Sequence, residues 1–250
     1  MRISRRATML TLVVSLAVAS PARAQGPGSG RGFLFRPPDG AIAVRGGLDL
    51  ASAGSEVFTF VTDELNVDRG DFSAASVVLD VNYGLSPRVS ALFSVASSSS
   101  KIPSEFRNWL DNNDRPIEQV TTYLRVPITA SLKAYLSNPG RSIGRFAWIP
   151  KRYAPYVGAG GGVTWYRFAQ AGDFIDFKTL KVFGDSFNSE GWAPTVQAFA
   201  GTDVSLSARF AVTIEGRYQW AHAALGRDFA GFDRIDLSGF SITSGILIRY

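Results

Sequence analysis

The last stretch of the chain, Arg209 to Tyr250, alternates apolar and polar residues in a way that few folds accommodate. Successive side chains of a β-strand point to opposite faces, so each of the two segments here has one apolar and one polar face. The first segment has these apolar residues on one parity: Phe210, Val212, Ile214, Tyr218 and Trp220. The second repeats the pattern with Phe240, Ile242, Ile246, Ile248 and Tyr250. The pattern predicts two-faced strands whose apolar side meets a different environment from the polar side.

The first residues of the chain have the three parts of a bacterial export signal. Three arginines within the first six residues precede a short apolar run, Met9 to Ala19, and Ala22-Arg23-Ala24 then fits a cleavage site. A retained N-terminal anchor is the alternative, but the run is shorter than the roughly 20 apolar residues of a membrane helix. The predicted segments are a signal peptide at 1–24, a flexible lead-in at 25–40 and one β-barrel domain at 41–250.

Composition argues against several classes of function. The whole chain has a formal net charge of +5, but the predicted signal carries four arginines and no acid, which leaves about +1 after export. No basic cluster interleaved with aromatic residues remains, so a nucleic-acid partner is not expected. The chain has no cysteine and a single histidine, which excludes thiolate and histidine-cluster metal sites. We therefore expect no cofactor or metal, and export without cysteine fits a bacterial envelope protein.

Between Ala41 and Tyr250 the sequence contains about eight alternating segments separated by turn-rich stretches. The approximate ranges of these segments are 41–51, 74–84, 89–95, 120–136, 155–165, 192–204, 209–220 and 240–250. The spacing predicts an all-β fold, a transmembrane antiparallel up-and-down β-barrel of about eight strands. In the fifth segment, Gly158, Gly160 and Gly162 share one face, which indicates strong curvature or a bulky neighbour inside a narrow barrel.

The connections between the segments alternate in length. Membrane barrels place short turns at the periplasmic side and long loops outside. Gly84 to Arg88 and Asp203 to Ser207 are short, and the long polar connections are 53–73, 97–119, 169–191 and 222–238. With both chain ends in the periplasm, an even strand number puts these four outside. Ser137 to Ala154 is the misfit, because it is long at a periplasmic position; either it holds a longer turn or the strand ends are misplaced.

Two short motifs lie in these connections. The segment Ser104 to Leu110 could form a short helix, which would cover the mouth of the barrel or bind a partner. Asp111 to Asp114 lacks the spacing, glycine and closing glutamate of a calcium loop, so a solvated turn is the preferred interpretation.

Aromatic residues occur at the expected strand ends. Those at outer ends are Trp165, Trp192 and Trp220, and those at inner ends are Tyr83, Phe210 and Tyr250. Amphipathic rings favour the headgroup level of a bilayer, so the pattern predicts two interfacial girdles. The alternative is that these rings simply close the ends of a soluble core.

The eight segments, the ending Gly245-Ile246-Leu247-Ile248-Arg249-Tyr250 and the stretch Tyr156 to Gly162 resemble bacterial outer-membrane barrels of the opacity-protein and outer-membrane protein W type. The resemblance covers roughly Ala41 to Tyr250. It implies insertion by the barrel-assembly machinery, which recognises a terminal aromatic residue after alternating apolar ones. It also implies a passage for small, apolar molecules as one possible function. Resemblance of this kind identifies an architecture more than a function.

By parity, a cluster of charged residues is expected inside the barrel. Its members are Arg45, Asp49, Asp80, Arg88, Arg125, Lys133, Asp203, Arg209, Glu215, Arg217 and Arg249. The lumen of a barrel of about eight strands is filled by side chains, so these groups are expected to pair as structural packing. The alternative is a narrow polar path for ions or small solutes.

His222 is the residue with the clearest catalytic potential. Its position, with Glu215 upstream, resembles outer-membrane lipid A deacylases, which use a histidine, a serine and an acid. The serine expected two residues after the histidine is Ala224, and Glu215 lies on the opposite parity. A lipid-modifying enzyme is therefore the least favoured function, and no catalytic residue is expected.

The sequence leaves one alternative fold and two main functions. A soluble barrel of the lipocalin kind would have its apolar residues inside and would bind a small apolar ligand. The girdles, the loop alternation and the charged lumen favour the bacterial outer membrane instead, with lipid and lipopolysaccharide as partners. For function, we expect a non-enzymatic barrel that presents long loops for surface protection, adhesion or envelope integrity, with an unknown extracellular partner. The alternative is a porin-like passage for small or apolar solutes.

Overall fold

The computed structural model describes residues 32–111, 114–144, 147–176, 179 and 181–250. The predicted signal peptide and the first residues of the lead-in lie outside the described residues. The elements in chain order are β1 (Gly40–Ala51), α1 (Glu56–Glu64), β2 (Ala74–Gly84), β3 (Val89–Leu110), β4 (Pro116–Tyr135), β5 (Gly140–Ile143), β6 (Ala147–Pro150), β7 (Tyr153–Asp176), β8 (Lys181–Ser205), β9 (Phe210–Ala223), β10 (Ile235–Asp236) and β11 (Gly239–Arg249). Two short 3-10 turns span Arg69–Phe72 and Arg227–Phe229. No helix in the described part of the chain is long and apolar enough to cross a bilayer.

Eight of the described strands close into an antiparallel ring. Their order around the ring is β1-β2-β3-β4-β7-β8-β9-β11, and β11 pairs back onto β1 from Ala41↔Arg249 to Ala51↔Gly239. Every strand therefore has both edges paired along at least part of its length, as a closed barrel requires. The predicted eight-stranded up-and-down barrel is confirmed.

The outer surface of the ring carries an apolar belt. Ile128 and Ile214 are nearly half exposed, whereas Thr129, Thr213 and Glu215 on the other parity are buried. Leu124, Val126 and Val212 lie on the same outward face, partly covered by neighbouring side chains. An exposed apolar surface of this extent, on a barrel with a polar interior, belongs in lipid rather than in water. The predicted direction of the alternation is confirmed for this part of the barrel.

Three strands, β3, β7 and β8, are much longer than predicted, and β4 begins earlier than predicted. β3 continues to Leu110 and β4 begins at Pro116, so the expected polar loop at 97–119 is a strand hairpin. The expected loop at 169–191 is likewise made of the ends of β7 and β8. The expected helix at 104–110 is wrong for the same reason, because these residues extend β3 and pair with β4 up to Glu105↔Glu118.

Polarity reverses along these long strands. On β3, the outward residues change from Phe93 and Val95 to polar ones such as Lys101, while the buried inward residues become Ile102 and Phe106. The ends of β4, β7 and β8 follow the same change. We use the term outer head for the described residues of 52–73, 97–123, 166–191 and 224–238. The outer head follows the inside-apolar arrangement of a soluble barrel, and the belt below it follows the opposite arrangement.

At the inner end, the long connection 137–154 contains a small hairpin. Residues of β5 and β6 pair from Gly140↔Pro150 to Ile143↔Ala147. Leu34, in the described part of the lead-in, pairs with Trp148 on the hairpin. The unexpectedly long connection at 137–154 is therefore a structured turn. The ends of the flanking strands β4 and β7 lie within about two residues of the ends predicted from the sequence.

Two glycines make room for bulky side chains inside the barrel. A Cβ added to Gly158 would lie 2.2 Å from the ring of Phe199, and one added to Gly201 would lie 2.6 Å from the hydroxyl of Tyr156. Both rings are buried in the lumen. The close approach expected of the glycine row is present at Gly158.

Candidate functional site

The structure places most of the predicted charged residues inside the barrel. Eight of the eleven predicted residues are buried, and Asp49 is half-buried. The prediction that Arg88 and Arg209 lie inside the barrel is wrong. Both are exposed, because they lie in the short inner turns before β3 and β9, where side chains no longer alternate between two faces. Arg88 instead donates to Asn138 Oδ1 at 2.5 Å. The nine interior residues form three groups along the barrel axis.

The middle group connects four strands through two arginines. Arg45 Nη2 lies 2.6 Å from Asp80 Oδ2, and its Nη1 lies 2.8 Å from Glu215 Oε1. Arg217 Nη2 contacts the same Glu215 oxygen at 2.8 Å. Ser94 donates its hydroxyl hydrogen to the other Asp80 oxygen at 2.6 Å. The two carboxylates thus sit between two guanidinium groups, which is the arrangement that makes a buried ion pair tolerable.

The inner group is centred on Asp203. Its Oδ2 accepts from Lys133 Nζ at 2.9 Å and from the Tyr135 hydroxyl at 2.7 Å. Lys133 Nζ also lies 3.6 Å from the centroid of the Tyr156 ring, a cation–π contact. Arg249, nearer the inner opening, donates to Ser205 Oγ at 2.9 Å. These contacts fill the inner end of the lumen.

The outer group links the lumen to the outer head. Arg125 Nη2 lies 2.8 Å from Asp49 Oδ2, which also accepts from Ser98 Oγ at 2.6 Å. Arg125 Nη1 donates to the backbone carbonyls of Leu237 and Ser238 at 2.9 and 3.1 Å. This arginine therefore ties the segment before β11 to the top of the charged lumen.

Between the middle and outer groups lies a polar cavity of about 30 Å³. Asp49, Arg125 and Arg217 are among the residues that line it. This volume is enough for one or two water molecules and too small for a solute. Among the described residues, no group of three or more His, Asp or Glu side chains could hold a metal ion.

The predicted girdle residues all lie on the outer surface of the barrel. Trp192 and Tyr83 are about 60% and 59% exposed, Trp165 is half-buried against its neighbours, and Phe210, Trp220 and Tyr250 are exposed. Trp165 and Trp192 pair across β7 and β8 near the middle of these strands, not at their ends. They stand where the apolar belt changes to polar residues: Arg167 and Glu190 follow on the outward face. Contact with a lipid interface stays a prediction.

His222 lies at the border of the belt and the outer head. Its Nε2 is 3.5 Å from Asp236 Oδ1, and its side chain is 53% exposed. Glu215 is buried with Arg45 and Arg217, so it is not the acid beside this histidine. The Asp236 carboxylate also accepts from the backbone N–H groups of Gly54 and Ser238, which gives it a structural role.

The apolar core of the outer head is the feature that the sequence-based prediction missed. Phe58 on α1 packs edge-to-face against Phe72, Tyr123 and Phe168, with ring centroids 4.8, 5.3 and 5.6 Å away. All four rings are buried. The available signal was the spacing of Phe58, Val61 and Leu65, which places three apolar side chains on one face of a helix.

No protein-family model matches the sequence, and no curated protein is found to be similar to it. Several solved structures are similar to the fold at low identity. The N-terminal β-barrel domain of OprF from Pseudomonas aeruginosa is 10% identical, and the match covers 85% of this chain and 98% of that one, with a TM-score of 0.36. Neisserial surface protein A is 9% identical over 84% and 96% of the two chains, with a TM-score of 0.42. The Ail protein of Yersinia pestis is 12% identical over 84% and 99%, with a TM-score of 0.38.

The chain's own geometry defines its class. The ring of eight antiparallel strands is closed, its outer face carries an apolar belt, and its lumen holds paired charges. A closed ring pairs the backbone hydrogen-bonding groups of neighbouring strands, and an apolar outer face around a polar interior is the arrangement that suits hydrocarbon. The protein is a small β-barrel of the outer-membrane type.

Proposed function

We propose that the protein is a non-enzymatic, non-conducting barrel of the bacterial outer membrane whose outer head presents a folded surface to the cell exterior. One observation carries the proposal: ion-paired side chains fill the lumen directly beneath a head that has its own apolar core. The predicted signal at 1–24 supports export, and lipid and lipopolysaccharide would surround the belt after insertion by the barrel-assembly machinery.

The contacts in the lumen support the absence of conduction. Opening a path past Arg45 and Arg217 would separate them from Glu215, at a cost of several kcal/mol for each buried charge left unpaired. Above them, Arg125 is held by Asp49 and by two carbonyls of the outer head. An ion entering the lumen would have to displace protein charges that already satisfy one another.

Planar-bilayer recording tests this part of the proposal. Purified wild-type protein is expected to give no stable discrete openings. A variant in which Arg45, Asp80, Glu215 and Arg217 are all replaced by alanine removes the middle group without leaving a partner charge unpaired. It is also expected to stay silent, because the inner and outer groups still occupy the lumen on either side. Replacement of the exposed Lys101 and Glu105 by alanine serves as the control and should remain silent. Discrete openings of the wild-type protein would contradict the proposal and favour a porin-like passage.

The surface role is tested in cells. Cells that lack the protein are expected to lose adhesion to surfaces or resistance to detergent and serum, while their uptake of small apolar solutes stays unchanged. The same loss is expected from a variant with reversed charges at Lys101 and Glu105, which face outward on the head. A fall in uptake with adhesion and resistance unaffected would support the passage function instead.

The non-enzymatic character has its own test. The environment of His222 supports a structural interpretation, because its acidic neighbour Asp236 is already bound by two backbone N–H groups. His222→Ala is expected to leave the mass of lipid A unchanged in cells that produce the protein. Loss of an acyl chain in wild-type cells, abolished by this substitution, would show that the protein modifies lipid.

A further inference from the structure

The outer head contains an apolar cavity that its core leaves unfilled. The cavity has a volume of about 190 Å³ and lies between α1, the ends of β7 and β8, and the segment around the 3-10 turn Arg227–Phe229. Seven of its described lining residues are phenylalanines. For comparison, an apolar protein cavity of roughly 150 Å³ takes up benzene. The space therefore suits a small molecule with an aromatic body.

The rings around the cavity are arranged to receive a further aromatic group. Phe174 and Phe187 meet edge-to-face with their centroids 4.7 Å apart, and Phe60 and Phe232 do so at 5.5 Å. Phe60 is 39% exposed and Phe183 is 40% exposed, so they stand at an opening to the outside. Faces and edges of neighbouring rings thus line the space, which favours an aromatic guest over a branched aliphatic one.

A polar group in the wall of the cavity specifies the chemistry further. Gln119, on β4, is only 4% exposed, and its side-chain oxygen Oε1 has no hydrogen-bond partner among the described residues. Its neighbour Gln170, also in the wall, already donates to Thr121 Oγ1 at 3.3 Å. A buried carbonyl oxygen without a donor is costly, and a guest that carries an N–H or O–H group would satisfy it.

We propose that the outer head is a binding site for a small aromatic molecule that carries one hydrogen-bond donor. The guest enters from the exterior, between Phe60 and Phe183, and its donor binds Gln119 Oε1. The site is distinct from the polar cavity of the lumen, because the two cavities have no lining residue in common among the described residues. The protein holds the molecule at the cell surface instead of passing it inward.

Indole and indene provide a matched pair of probes. They have nearly the same shape, but only indole has an N–H group. Each is titrated into the folded protein in lipid nanodiscs, and the methyl signals of Val57, Leu65 and Ile175 in the cavity wall are followed by NMR. The methyl signals of Ile128, on the membrane face, report partition of the probe into lipid. We expect saturable shifts at the cavity, with indole bound about 3- to 10-fold more tightly than indene.

Two glutamine variants test the role of the amide. Gln119→Met keeps the volume and removes the acceptor, so it is expected to abolish the preference for indole while indene still binds. Gln219→Met makes the same change in the lumen and should leave both affinities as in the wild type. Equal affinity of wild-type protein for the two probes, or shifts confined to Ile128, would overturn the proposal without bearing on conduction. A preference for indole that survives Gln119→Met would overturn it as well.

Discussion

Arg45 shows how one side chain can hold a barrel together from inside. From β1 it reaches Asp80 on β2, Glu215 on β9 and Thr243 on β11. Glu215 in turn accepts from the Tyr156 hydroxyl on β7 at 2.9 Å. Five of the eight ring strands therefore meet at this pair, and the loss of either group removes a charged partner from the other.

Glu215→Ala is the sharpest test at this scale. The substitution leaves the guanidinium groups of Arg45 and Arg217 without their shared carboxylate oxygen, and we expect the free energy of unfolding to fall by about 3–5 kcal/mol. The measurement is urea unfolding in lipid vesicles, followed by the mobility of the folded form on unheated gels. Glu118→Ala, on the exposed face of β4, is the control and should change stability by less than about 0.5 kcal/mol. Equal effects of the two substitutions would mean that the lumen is hydrated enough to solvate its own charges.

Single residues also mark where sequence parity stops being informative. Asp80 and Asp203 lie inside as predicted because they are in regular strand, where side chains alternate strictly. Arg88 and Arg209 were placed inside by the same count and lie outside, since the backbone has already left the strand at each of them. The error is physical: a turn breaks the two-residue period on which the count depends.

At the scale of elements, the sequence predicts the membrane part of each strand well and the outer part poorly. The alternation of β3 does not stop at Val95; it reverses, with Ser98, Ser100 and Ser104 inward beside Ile102 and Phe106. A strand recognised by apolar residues on its outward face is recognised only as far as that face is apolar, which is the part of the strand that faces lipid. From sequence alone, Ser98, Ser100 and Ser104 resemble part of a flexible surface tract, although they are buried residues of a strand.

The helical conformation of α1 depends on tertiary contacts more than on its local sequence. Its sequence, EVFTFVTDE, is rich in residues that favour strands, and propensity alone does not predict a helix. Packing of Phe58 against three aromatic rings of the head outweighs that local preference. Those rings come from distant parts of the chain, so the sequence near α1 does not reveal them.

Phe58→Ala is expected to loosen the outer head while the barrel stays folded. Removing a buried phenylalanine costs about 3–5 kcal/mol, and the loss falls on the apolar core of the outer head. Limited proteolysis should then cut within 53–73 at least tenfold faster, an order-of-magnitude expectation for local unfolding. The heat-modifiable mobility of the barrel should be unchanged. Asp63→Ala, on the exposed side of the same helix, is the control and should leave the cutting rate unchanged. If Phe58→Ala also abolished the heat-modifiable gel mobility of the barrel, the head and the barrel would unfold together.

At the scale of the whole molecule, the two ends of the barrel are built differently. The inner end has short turns, the β5–β6 hairpin and both ends of the barrel domain, and the outer end has the head. Short turns at one end and most of the long connections at the other are typical of barrels inserted in one direction. Orientation is therefore a property of the entire chain and can be tested without any knowledge of a partner.

The chain has no cysteine, so single cysteines can report that orientation. In intact cells, a membrane-impermeant maleimide is expected to label Lys101→Cys, which is exposed on the head. It should reach Lys151→Cys, exposed near the inner hairpin, only after the outer membrane is permeabilised. The readout is the mass shift of the purified protein. Labelling of Lys151→Cys alone in intact cells would mean that the barrel is inverted.

The reversal of polarity along β3, β4, β7 and β8 also sets the immersion depth of the protein. If the barrel moved outward by two residues, Trp165 and Trp192 would leave the lipid for water. If it moved inward by the same distance, charged groups such as Lys101 and Arg167 would enter hydrocarbon. Each displacement of about 7 Å along a strand exposes the wrong surface at one boundary or the other. The four long strands together fix how deeply the barrel sits in the bilayer, and they hold any molecule bound in the head at a constant height above the lipid.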